Sequence, residues 1–120
     1  MSEIGQISEH AVERDGLPDL RFEGVELARV STRSPFYGSE PTRWDVYTLY
    51  RTKEGLHILA HTYRTVFQGG KDSHEAWTET DPKKLLMDAC YENAGGEMIM
   101  PDVIKALARA TGIDLNEHIE

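Results

Sequence analysis

Apolar and polar side chains alternate most clearly in the middle of the chain. From Trp44 to Thr52 and from Leu56 to Phe67, β-branched and aromatic residues recur with a period near two, which predicts two strands. Lys53, Glu54 and Gly55 join them, a length that suits a type I turn closed by a bulge whose last residue takes positive φ. Val25 to Thr32 predicts an earlier strand, and His74 to Glu79 a later, shorter one after the turn-forming run Gln68 to Asp72. Links this short cannot carry a parallel crossover, so the strands form an antiparallel meander.

The period then changes from two to that of a helix. Asp81 is a good N-cap and Pro82 suits the first helical position. Leu85, Leu86, Ala89 and Cys90 share one stripe, and Asn93 to Gly96 ends it. Val103, Ile104, Leu107, Ala108 and Thr111 repeat the stripe in a second helix stopped by Gly112. The expected fold is α+β: an antiparallel β-meander of about four strands followed by two amphipathic helices packed on one face. Residues 1–24, punctuated by Gly5, Gly16, Pro18 and Gly24, show no convincing period and read as a mobile acidic N-terminal arm; residues 25–120 read as a single α+β domain.

Composition narrows the class. The 120 residues are 39% hydrophobic and 28% charged, values that suit one small globular domain rather than a disordered chain. No run approaches the roughly 18–20 apolar residues of a membrane span. The segment Met1 to Gln6 lacks the basic start and apolar run of a secretory signal, and a single cysteine gains nothing from an oxidising compartment, so a cytoplasmic protein is expected. The net charge of −8 is unevenly spread: residues 25–71 carry seven basic residues against four acids, while both flanks are acidic. That balance weighs against nucleic acid and anionic membrane as partners.

Register across the Lys53–Gly55 turn sorts the central hairpin into two faces. Placing Thr52 opposite Leu56 collects Trp44, Val46, Thr48, Tyr50, Ile58 and Ala60 on one face, expected to be the core. The other collects Asp45, Tyr47, Leu49, Arg51, His57, Leu59, His61 and Tyr63, with Arg51 facing His57, Tyr47 facing His61, and Asp45 facing Tyr63. Tyrosine and arginine are enriched where interfaces desolvate, so this second face is the candidate partner surface, with Phe36 and Tyr37 of the Ser34–Pro41 loop beside it. A sheet covered on one side also needs a wettable outer face, and the same residues serve that purpose.

Motifs for catalysis, metals or cofactors are missing. His57 and His61 point the same way on one strand, yet a zinc site needs a third and usually a fourth ligand, and no CxxC or HExxH spacing occurs. Cys90 lies on an apolar stripe, where a thiol behaves as a small hydrophobe. The run from Ile104 to Glu120 resembles the first helix and turn of a helix-turn-helix. The residues after Gly112 include Asp114, Glu117 and Glu120 where base-reading side chains belong. No cofactor and no catalytic residue are therefore expected. The leading expectation is a non-enzymatic binding or regulatory protein that takes a protein partner on its exposed sheet face. The alternatives are a small-molecule binder or small enzyme using His57, His61, Asp45 and Arg51, and nucleic-acid binding by the aromatic, basic face. Open strand edges leave room for a homodimer.

Overall fold

The computed structural model describes residues 7–31, 43–65, 71–93 and 102–115. Within them run five strands, β1 (Ser8–Arg14), β2 (Leu17–Ser31), β3 (Arg43–Thr52), β4 (His57–Thr65) and β5 (Ser73–Glu79), then helices α1 (Pro82–Asn93) and α2 (Asp102–Thr111). The strands form one antiparallel sheet in sequence order, so the α+β meander expected from the sequence is present with one strand more than foreseen. No helix among the described residues is long and apolar enough to cross a membrane.

The additional strand comes from the segment read as an arm. Residues 8–24 form β1 and the first half of β2, joined by a tight turn in which Gly16 takes φ 74°. Asp15 followed by Gly16, with Val12 on one side and Leu20 and Phe22 on the other, is a hairpin signal that the acidic residues between them obscured.

Strand β2 serves two neighbours. Residues 17–24 pair with β1 and residues 24–31 with β3, so Gly24 is the pivot that belongs to both ladders. A bulge between Glu26 and Ala28 resets the alternation, so Leu27 and Ala28 both serve the helical side of the sheet. The β3–β4 register is the one the turn implied: Arg51 faces His57, Tyr47 faces His61 and Asp45 faces Tyr63. Gly55 takes φ 95°, as the turn length required.

The sheet curls until its two ends touch. The Asp15 N–H donates to the carbonyl of His74 at 2.9 Å, and the His74 N–H returns a bond to Asp15 Oδ2 at 3.0 Å. The His74 imidazole also reaches the Glu13 carboxylate, at 3.3 Å. This seam between β5 and the β1–β2 hairpin makes the sheet a half-barrel.

Both helices lie on the outer face. Helix α2 packs on β2, and α1 on β4 and β5. The Asp81 carboxylate accepts from the Lys83 N–H at 3.0 Å as an N-cap. At the end of α2, Gly112 takes φ 75° and the Ile113 N–H reaches back to the Ala108 carbonyl at 3.0 Å. Leu85, Leu86, Ala89, Cys90, Ile104, Leu107 and Ala108 meet Tyr47, Leu49 and Leu59 of the sheet.

That contact reverses the expected assignment of faces. Tyr47, Leu49 and Leu59 lie beneath the helices, with Tyr47 6% exposed and both leucines fully buried. The even-numbered side chains of β3 and β4 occupy the inside of the curl. There the sheet covers itself, burying Ile58, Thr48 and Val12. Membership of each face is as the register implied; the side taken by the helices is the opposite one.

Candidate functional site

The residues expected to form a partner surface divide into two groups. His57 and His61 are four residues apart on β4, about 13 Å along the strand. Arg51 and His57 stand at the turn end, where His57 Nδ1 donates to the Thr80 carbonyl at 3.0 Å and Arg51 is exposed. Asp45, Tyr47, His61 and Tyr63 gather at the other end, beside the helices. The four residues proposed for small-molecule chemistry thus do not converge. Phe36 and Tyr37 lie outside the described residues.

His61 is the centre of the second group. Its Nε2 lies 2.7 Å from Asp45 Oδ1 and its Nδ1 2.6 Å from Glu75 Oε1, so a carboxylate from each neighbouring strand engages one ring nitrogen. The ring stacks on Tyr47 with centroids 4.3 Å apart and planes 6° from parallel, and Trp77 stacks further out at 6.3 Å. With a carboxylate against each nitrogen, neither ring nitrogen is open to a metal or a substrate. Among the described residues, no group of three or more His, Cys, Asp or Glu is arranged to hold a metal ion. Glu75 was absent from the expected set, although it is the β5 residue opposite His61 and one further strand register locates it.

Burial beside this cluster changes its acid–base behaviour. Desolvation, then the charges of Asp45 and Glu75, push the Tyr47 hydroxyl up to about 12 from its usual 10.0. Burial pushes the Cys90 thiol up as well, which disfavours the thiolate a nucleophile would need. The Tyr47 shift fixes the sign of an alkaline effect. Between pH 10 and about 12 the unfolded chain releases the tyrosine proton while the folded chain keeps it, so stability falls as pH rises through that window. Urea midpoints should drop more in the wild type than in Tyr47→Phe, by on the order of 2 kcal/mol across the window. Equal slopes for the two proteins would show that Tyr47 ionises freely.

The inner face holds a different kind of site. A trough of about 220 Å3 lies inside the curl. Its floor follows the strand register, with Thr48 and Val46 from β3 beside Ala60 and Thr62 from β4. Ala60, small beside Tyr50 and Arg64, leaves room at the floor. Tyr50 stands at one end, and its pKa is raised by burial and by the charge of Glu26. Behind Tyr50, the rings of Phe22 and His10 pack within 5.3 and 5.0 Å of it. Arg64 stands at the other end, 3.4 Å from Asp72. Val12 and Glu13 of β1 form the wall, and the His74 imidazole bridges Thr62 at 3.2 Å and Glu13.

No sequence signal marked this trough, because its depth comes from alanines and threonines that are ordinary in a strand. The curvature that encloses it depends on the β1–β2 hairpin. Compared with known proteins, the chain matches no family model, and no curated protein or solved structure is significantly similar to it.

Proposed function

We propose that this chain is a non-enzymatic binding protein that receives a partner protein on the inner face of its curled sheet, opposite α1 and α2. The observation that carries the reading is the trough of about 220 Å3 between Tyr50 and Arg64, set in the face opposite the one on which α1 and α2 pack. Pockets for whole small-molecule ligands commonly measure about 300–1,000 Å3. A smaller recess suits a single anchoring side chain, around which the rest of a partner spreads over the sheet, as binding hot spots do. The His61 cluster supports a structural role on the opposite face. Both of its ring nitrogens are engaged, and its stacking partner Tyr47 lies under the helices. Nucleic acid fits this face less well. Arg29 is held by Glu26 at 2.7 Å, Arg64 faces Asp72, and the chain as a whole carries −8.

The test fills the recess. Ala60→Leu places an isobutyl group on the floor of an open trough, so the fold tolerates it and the melting temperature moves by no more than a few degrees. Partners captured on the wild-type protein from an extract of its own cells should be lost on the variant. Capture of the same proteins by both would remove the trough from the interaction.

A further inference from the structure

We infer that the β1–β2 hairpin is a strap across the inner face, hinged where β2 leaves β3 at Gly24 and latched at its tip on His74, and that its release opens the trough. The inference concerns access to the inner face and holds whatever the trough receives.

Strand pairing makes the hairpin a separate piece. Strand β2 enters its ladder with β3 at Gly24, opposite Thr52, so up to that point β1 and β2 form a two-stranded ribbon. Such a ribbon is marginally stable by itself, and its position depends on what fastens it. Of residues 9–22 only Val12 is buried; His10, Arg14, Leu20 and Phe22 are half-buried and the rest are exposed. So little covered apolar surface gives a segment a low free energy of local opening.

The two ends of the ribbon are fastened differently. At the base, the Lys53 N–H donates to the Glu23 carbonyl at 2.8 Å, and the His10 and Phe22 rings pack on Tyr50. Gly24 approaches the Arg51 carbonyl too closely for a Cβ, which pins the base to β3. At the tip, the fastening is one residue. Among the described residues, every hydrogen bond or ion pair that residues 9–22 make outside their own hairpin ends on His74. Its carbonyl accepts from the Asp15 N–H, its N–H donates to the Asp15 carboxylate, and its imidazole meets Glu13. The Glu13 side chain is 68% exposed, and an ion pair so open to water holds weakly. The two bonds to Asp15 are therefore the latch.

The strap is also a wall of the site. Ala11, Val12 and Glu13 line the trough from β1, against a floor of Thr48, Ala60 and Thr62 from β3 and β4. With the tip held on His74, the space enclosed is about 220 Å3. Swinging the tip away from β5 about Gly24 withdraws that wall and joins the trough to the rest of the inner face, which then admits more of a partner than one side chain.

Thiol labelling of the full chain under native conditions tests this, because the chain carries its own reference. Val12→Cys places a thiol on the inner side of the strap, while Cys90, fully buried under the helices on the opposite face, reports opening of the core. When closing is faster than reaction, labelling follows the population of the open form. The thiol introduced by Val12→Cys should react on the order of 100-fold faster than Cys90. Adding Asp15→Ala, which removes the acceptor of the His74 N–H, should speed the introduced thiol by about tenfold or more and leave Cys90 unchanged. In the chain with neither substitution, the Asp15 amide should exchange its hydrogen faster than the Leu59 and Ala60 amides of β4. One common rate for both thiols, or an equal effect of Asp15→Ala on both, would overturn the strap, since the hairpin would then open only with the whole fold. Equal exchange at Asp15, Leu59 and Ala60 would overturn it too, whether or not the Val12→Cys protein folds.

Discussion

Leu59→Ala is expected to remove about 2–5 kcal/mol of stability, a large part of the roughly 5–15 kcal/mol that holds a small domain together. Leu59 is fully buried at the middle of β4, between Leu49 on β3 and Trp77 on β5. Helix α1 lies over it with Leu85, Leu86, Ala89 and Cys90. Truncation to alanine removes three carbons from a site walled by two strands and a helix, which cannot collapse without moving the helix. The change should lower the melting temperature by roughly 10 °C or more, and Leu49→Ala should behave alike. Arg51→Ala has the same parity but lies beyond the helices and is exposed, so it should fall within about 0.5 kcal/mol of wild type. Urea denaturation of the three variants measures this directly. A loss under about 1 kcal/mol at Leu59 would mean that the helices do not sit on the odd-numbered face.

Gly24→Ala should be nearly as damaging, for a reason unrelated to hydrophobic burial. A Cβ at this position would stand 2.3 Å from the carbonyl oxygen of Arg51 and 2.9 Å from the Cα of Thr52. Both atoms are backbone of the adjoining strand, so no rotamer change relieves the clash and β2 must part from β3. The loss should be about 3 kcal/mol, at the upper end of what overpacking costs. The effect is local first. The Lys53 N–H donates to the Glu23 carbonyl at 2.8 Å next to the clash, so its hydrogen exchange should accelerate more than that of amides in α2. A variant that keeps wild-type stability and slow Lys53 exchange would argue against the close approach of β2 and β3.

How much of this was legible in the chain can be judged strand by strand. The β3–β4 hairpin was readable down to its cross-strand partners, because a three-residue turn ending in Gly55 leaves few registers and a period of two assigns every side chain to a face. Helix α1 was readable from its first residue, since Asp81 and Pro82 leave the chain little alternative there. Strand β1 was hidden. Ser8, His10 and Val12 alternate with Glu9, Ala11 and Glu13, but only Val12 on the inner side is strongly apolar. That weak pattern reads as an arm until Asp15 and Gly16 are taken as a turn. The Asp45–His61 pair was within reach of sequence reasoning. Glu75 lay on a strand the sequence also showed, but its place opposite His61 needed the β4–β5 register, and the trough needed β1 and the curl.

From β3 onward, local order followed from sequence alone: where the strands begin, how the central hairpin registers, and which residues share a face. Those properties depend on dihedral preferences and turn lengths over a few neighbours. Which face the helices would cover was settled only in three dimensions. Both faces of the hairpin carry apolar and polar residues, so either could have been the core in isolation. The N-terminal hairpin decides between them: the β1–β2 turn latches onto His74, the sheet bends, and the even-numbered side chains find cover inside the curl. Leu49 and Leu59 are left for the helices, and the trough lies on the inner side, lined by residues of the strands.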